Sequence, residues 1–189
     1  MSVEITETRA RSSARPGLEA SIAASELLLF CRDLRGTVTD VVVAAAGRAL
    51  AAHPEVGCAA ASAAGAGVGV AVDTDSGVLV PVVRNATDAP LPQVRAEVSR
   101  LVDAARSGRL SSADVGGAAV TVYDPVQGAS TAALDASASC ILTVGRPAYD
   151  SLDLTLALSV DGSEVGGAEA GRFFATLVRL LQHPYRRLM

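Results

Sequence analysis

Lysine and tryptophan are absent from this 189-residue chain, and histidine occurs only twice. Two imidazoles, His53 and His183, cannot build a multi-histidine metal centre, and no spacing in the chain resembles a metal-ligand cluster. Each histidine stands directly before a proline at the end of a helical pattern, which is a structural position. Cysteine is scarce as well. Cys31, Cys58 and Cys140 are odd in number, far apart and without a CxxC pair, so a disulfide framework is excluded and reduced thiols in a cytosolic protein are expected. Three Phe and three Tyr are the only aromatics. A core built mainly from Ala and Val is short of bulk, and domains of that kind often complete their interior by oligomerising. The formal charge of −4, with all 16 basic residues Arg, lacks the clustered cations that nucleic-acid binding needs. The arginine-only usage, with abundant Ala, Gly and Val, fits the codon bias of a GC-rich genome. No run is long and apolar enough to span a membrane; "GCAAASAAGAGVGVAV" (57–72) is too short and too small-sided. No N-terminal signal-peptide order is seen.

What is present reads as one domain. Residues 1–16 are polar and aperiodic and predict a mobile arm; residues 17–189 form the domain. "GLEASIAAS" alternates as a strand, and "ELLLFCRDLRG" is a short helix closed by Gly36. "TVTDVVVAAAGRALAAHP" is a helix capped by Thr39 or Asp40 and stopped by Pro54. "AGVGVAVDTDSGVLVPVVR" predicts two strands around a turn at Asp73–Gly77. "PQVRAEVSRLVDAARSG" has Pro92 in its first turn, a stripe of Val94, Val98, Leu101, Val102 and Ala105, and Gly108 at its end. Strands "AAVTVY" and "CILTVG" follow. "LDLTLALSV" alternates strictly, with Leu152, Leu154, Leu156, Leu158 and Val160 on one face. A last helix over about 168–182 buries Phe173, Phe174, Leu177, Val178 and Leu181. Strands and helices mix without strict alternation, which gives an α/β or α+β class with a mixed sheet.

Few motifs carry chemistry. "GAGVG" at 65–69 runs into a strand, whereas a dinucleotide fingerprint opens a helix. Cys140 lacks the adjacent base or cations that activate a thiol nucleophile. Within "VDGSEVGG", Asp161 and Glu164 are the only ionisable groups of a glycine-rich strand-to-helix turn.

Four stretches, taken in order, resemble the catalytic domain of the dihydrolipoyl acyltransferases, core subunits of the 2-oxo acid dehydrogenase complexes. "TVTDVVVAAAGRALAAHPEV" is similar to the family helix "tDvvvkAaarAL..hPevN". "VGVAVDTDSGVLVPVVRNA" resembles "igvAVdtedGLvvPVirnA". "EVSRLVDAARSGRLSSADVGG" resembles the helix and turn that follow, and "LTLALSVDGSEVGGAEAGRFF" resembles "ltLs.DHRvvDGa.aarF". The likeness covers about residues 17–189; much of the family's first helix, and any lipoyl or subunit-binding domain, has no counterpart. It implies the chloramphenicol acetyltransferase-like two-layer sandwich, a mixed sheet flanked by helices, in a homotrimer with clefts between subunits. The apolar ending "PYRRLM" resembles the segment that joins family trimers into larger shells.

The resemblance also implies a specific loss. The family turn reads D-H-R-x-x-D-G, its histidine the base that takes a proton from the acyl acceptor. Asp161 keeps the first acidic place, but Gly162 stands at the histidine, Ser163 at the arginine and Gly166 at the second aspartate. In the family strand "GGTFTISNLG" a serine hydroxyl stabilises the oxyanion; here Val122 takes that place and Tyr123 the next, with Thr121 one step off and so on the other face. A general base is worth roughly 10²–10⁴-fold in rate. An oxyanion donor is worth roughly 10²–10³-fold more. Three readings follow: a non-catalytic trimeric scaffold or binding protein, with an active acyltransferase or a small acyl molecule as partner; a remodelled natural-product enzyme that cyclises or dehydrates in the cleft; and a residual acyltransferase on CoA- or carrier-linked acyl groups. Asp161, Ser163, Glu164, Tyr123, Asp124 and Cys140 are the candidate cleft residues. No cofactor is required and no metal is expected; a CoA or pantetheine thioester is the ligand the resemblance implies.

Overall fold

A computed structural model of the chain describes residues 5–9, 16–57, 67–125, 139–145 and 153–189. Cys58 and Leu152 lie outside these residues. Among the described residues, nine strands and five α-helices follow in chain order: β1 (Ile5–Arg9), β2 (Pro16–Ala23), α1 (Ser25–Asp33), α2 (Val38–Ala52), β3 (Gly67–Val70), β4 (Val72–Thr74), β5 (Gly77–Leu79), β6 (Val82–Val83), α3 (Leu91–Arg106), β7 (Ala118–Tyr123), β8 (Cys140–Gly145), β9 (Asp153–Val160), α4 (Gly167–Gln182) and α5 (Pro184–Arg187).

Seven strands form one mixed sheet in the order β1-β2-β9-β8-β7-β3-β6, and β4 and β5 form a separate hairpin. β7 runs parallel to both β3 and β8, while β8 is antiparallel to β9. The alternation of β9 sets the layers. Leu154, Leu156, Leu158 and Val160 are buried in one core with Phe173, Phe174, Leu177 and Leu181 of α4, whereas Asp153 faces solvent. Each fully buried side chain of this kind contributes about 1.5–3 kcal/mol of transfer free energy. The core continues through α2, whose Val41, Val42, Val43, Ala45 and Ala46 are all buried. Among the described residues, a small second cluster, Ala71, Tyr123 and Ile141, with Val78 and Val80 packed on it, lies behind the sheet.

Three local expectations need correction. Residues 5–9, read from the sequence as part of a mobile arm, form β1, whose Ile5 pairs with Ala20 of β2; strand addition depends on a partner edge that local polarity does not reveal. The stretch 66–84 holds four short strands rather than two, because the chain leaves the sheet at Ala71 and returns at Pro81. Gly36 closes α1 as expected, its amide donating to the Cys31 carbonyl at 2.9 Å, while the left-handed residue is Arg35, at φ 51°, and the Arg95 guanidinium donates to the carbonyls of Leu34 and Arg35, which gives that conformation outside support.

The cap of α2 is Thr37, not Thr39 or Asp40. The Thr37 hydroxyl accepts from the Asp40 amide at 3.1 Å, and the Asp40 carboxylate accepts from the Thr37 amide at 2.7 Å, a reciprocal capping box. Replacing Thr37 by Ala removes half of that box. We expect a loss of about 1 kcal/mol in chemical denaturation, with the unfolding slope unchanged.

Candidate functional site

A cleft of about 460 Å³ opens where β7 ends and β3 passes into β4. Its apolar wall comes from Val70, Val72, Val98, Val102 and Val122. Val122 is there because its side chain points to the helix layer, and it is fully buried within the main core. Tyr123, the next residue, points the other way and packs in the small cluster behind the sheet. Burial raises the tyrosine's pKa, and the nearby Asp124 and Asp73 carboxylates raise it further, so its phenol stays protonated at neutral pH.

The cleft has a polar floor. Asp124, only 3% exposed, accepts a hydrogen bond from the Thr39 hydroxyl at 2.9 Å, and Thr39 is 6% exposed. Both line the cavity, as does the buried Asp40 of the capping box. Arg35 and Arg106 are exposed at the rim with Asp103, and half-buried Arg95 stands among them. No histidine lines this cleft.

The remaining sequence candidates lie elsewhere. Asp161 begins the turn between β9 and α4, where its carboxylate accepts from the Ser163 amide at 3.0 Å and the Ser163 hydroxyl at 2.6 Å. Glu164 accepts a short hydrogen bond from the Ser139 hydroxyl, and the Asp161 amide donates to the Ser139 carbonyl at 2.8 Å. These contacts tie the turn to Ser139, the residue just before β8. Ser139 was not singled out from the sequence, and its partnership spans 25 positions, which no local pattern reports. Gly162 is exposed, and Gly166 precedes α4 in an extended conformation. Cys140 is wholly buried in the main core, out of reach of a substrate in this cleft. Cys31 is likewise buried, and desolvation, aided by Asp40, pushes its thiol up to about 11, so it is protonated and inert at neutral pH.

Both histidines hold their expected helix-end positions. His53 ends α2, with Nε2 2.8 Å from the Thr176 hydroxyl and Nδ1 3.4 Å from Glu55. His183 lies between α4 and α5, with Nδ1 3.5 Å from Glu26. Gly67 and Gly69 sit within β3; a Cβ at Gly69 would meet Val80 at 2.8 Å and Ala118 at 3.0 Å. Close packing of a strand, rather than a phosphate loop, accounts for that glycine.

Strand directions keep the glycine turn and the cleft apart. Cys140 pairs with Val120 on one side and with Val160 on the other. The turn therefore leaves the sheet past the N-terminal ends of β7 and β8, whereas the cleft lies past the C-terminal end of β7. Of the six candidate cleft residues, only Asp124 lines the cleft. Asp161, Ser163, Glu164, Tyr123 and Cys140 do not, because β9 runs against β8 and Tyr123 and Cys140 point to other surroundings. Within one protomer the two halves of the expected site do not meet.

A mixed sheet covered by helices, with an open cleft at a strand end, is the architecture of the chloramphenicol acetyltransferase-like fold. The sheet superposes on chloramphenicol acetyltransferase itself with a TM-score of 0.53 at 10% identity, covering 87% of this chain and 84% of that one. The chain belongs to the family of 2-oxoacid dehydrogenases acyltransferases (catalytic domain), whose family model matches residues 23–189. A solved structure of Azotobacter vinelandii dihydrolipoamide acetyltransferase, concerned with the catalytic roles of a serine, a histidine and an asparagine, matches with a TM-score of 0.73 and 28% identity, covering 92% of this chain and 83% of that one. Among curated proteins, the dihydrolipoyllysine-residue succinyltransferase component of the 2-oxoglutarate dehydrogenase complex of Bartonella vinsonii subsp. berkhoffii is 35% identical over 130 residues, covering 61% of this chain. The alignment takes in only 31% of that relative's length.

Proposed function

We propose that the chain forms a homotrimer whose clefts, each completed by a neighbouring protomer, bind a small acyl-type ligand such as a pantetheine or CoA thioester without running the family's imidazole-dependent transfer. One observation carries the reading. At the cleft wall, the place that the resemblance assigns to the oxyanion serine holds the buried aliphatic Val122, and the matching turn offers Gly162, which has no titratable atom. The opposite placement of turn and cleft supports assembly, since only a second protomer can bring the two together. His53 and His183, each at a helix end and neither lining the cleft, argue against a substitute base.

A second reading, a remodelled enzyme, gains support from the cleft being open, apolar-walled and floored by a buried carboxylate, the setting in which new chemistry arises. The scaffold role beside an active acyltransferase has no comparable observation behind it.

The test is transfer from acetyl- or succinyl-CoA to dihydrolipoamide, read as free CoA, alongside light scattering for mass. We expect a mass of about three protomers, the value for the proposed closed trimer, and transfer at the uncatalysed rate. Turnover well above that rate would sink the proposal, and a stable monomer would remove its shared cleft.

A further inference from the structure

Away from the cleft, side chains from the end of α2, the turn that follows it and α4 meet in a line. His53 Nε2 lies 2.8 Å from the Thr176 hydroxyl, which is 123 positions away in sequence. Its Nδ1 lies 3.4 Å from the Glu55 carboxylate. Arg172, one helical turn before Thr176, stands 3.7 Å from the same carboxylate. None of the four lines the cleft.

The sequence of contacts sets the role of each group. Hydrogen bonding to its own backbone amide, with His53 and Arg172 adding to it, holds the Glu55 carboxyl below the usual carboxylate range. It is ionised at neutral pH, and an ionised carboxylate only accepts hydrogen bonds. The proton of a neutral imidazole therefore sits on Nδ1, and Nε2 turns its lone pair to the Thr176 hydroxyl. A hydroxyl bonded to one ring nitrogen, with a carboxylate holding the other, is the arrangement that activates an oxygen nucleophile. The 3.4 Å contact is long, as such pairs often are before a substrate tightens them. Reagents can reach the group. The His53 side chain keeps 16% of its surface exposed, and Thr176 is half-buried, unlike the wholly buried Cys140.

We propose that Thr176 is a nucleophile, with His53 as its base and Glu55 as a positioning residue, and that it takes the acyl group of small activated esters. The Thr176 oxygen bonds to the acyl carbon while its proton passes to His53 Nε2. The ester bond between that carbon and the leaving oxygen then breaks, and the departing alcohol takes the proton from the imidazole. The product is a threonine ester, one acyl group per chain. The Arg172 guanidinium, on the same helix face as Thr176, is the positive charge at hand for the oxyanion that develops. This site neither uses the cleft nor depends on how the cleft is read.

The experiment adds p-nitrophenyl acetate to the intact protein and reads released nitrophenol together with the masses of tryptic peptides. Trypsin cuts after Arg172 and Arg179, and the peptide between them, FFATLVR, holds one hydroxyl, that of Thr176. The chain has no lysine, so no side-chain amine competes for the label. We expect one acetyl group on this peptide, added at least about 10²-fold faster than to N-acetylthreonine amide, the lower end of what a positioned base contributes. Thr176→Ser should keep the label and Thr176→Val should lose it. His53→Gln should slow labelling at least about tenfold. Glu55→Gln should slow it as well, and Glu55→Asp should restore part of the rate, at an unchanged far-UV spectrum. The wild-type peptide assignment stands by itself should a variant fold poorly. An unlabelled FFATLVR peptide, labelling no faster than that of the free amide, or a full rate in folded His53→Gln overturns the proposal.

Discussion

Placing His at 162 and Ser at 122 together should raise acyl transfer from acetyl-CoA to a dithiol by at least about 10²-fold, the lower end of what a positioned base contributes. Backbone geometry permits the first change, because Gly162 is exposed and is not among the glycines with positive φ. Val122→Ser shortens a buried side chain at the cleft wall, adding a hydroxyl at a modest loss of apolar contact. Restoring an acid at Gly166 would be harder, because a Cβ there meets the Glu169 carboxylate at 2.2 Å and that side chain must swing away. The informative measurement is complementation. With turn and cleft at opposite ends of one protomer, a refolded equimolar mixture of Gly162→His and Val122→Ser chains should recover about a quarter of the double variant's rate, since one in four interfaces in a cyclic trimer would pair them correctly. Each single variant alone should remain near background. An inactive double variant with native mass and spectrum would mean that Gly162 does not stand where the family's base stands.

Gly47→Ala should destabilise the fold by roughly 3 kcal/mol, the upper part of the usual overpacking range, although the same change within a helix ordinarily stabilises. A Cβ at Gly47 would lie 2.0 Å from the Ala86 carbonyl oxygen and 2.3 Å from its carbon. These are backbone atoms of the segment leading into α3, so relief requires α2 to move off the layer that holds its valines. Gly171, midway along α4, has nothing within 4 Å of a built Cβ. There Gly→Ala should stabilise by about 0.5–1 kcal/mol through reduced freedom of the unfolded chain. Urea unfolding of the two variants checks both signs at once. If Gly47→Ala proved neutral, the close approach of α2 to Ala86 would not exist in solution.

Much of the fold was legible because its signals are local. The alternation of Leu154, Leu156, Leu158 and Val160 announced a strand with one buried face, and the stripe from Val94 to Leu101 announced the inner face of α3; both are buried as expected. Pro54 stopped α2 and left His53 as its C-cap. Caps and edges were harder. Thr37, Thr39 and Asp40 are all competent caps within four positions, and the box formed on Thr37 while Thr39 turned to a carboxylate that no local pattern marks as its neighbour. β1 looked structureless because its order depends on the edge of β2 rather than on its own residues.

The chain's letters alone settled which atoms exist: no imidazole at 162, no hydroxyl at 122, no carboxylate at 166, and a carboxylate at 124. A step that needed an imidazole, a hydroxyl or a carboxylate at those positions would find none there. Where the existing atoms meet was decided by strand order and direction, parallel between β7 and β8 and antiparallel between β8 and β9. Pairings of that range are set by the global packing of apolar faces, not by neighbours in sequence, and so only the folded molecule could place the turn at one end of the sheet and the Asp124 cleft at the other.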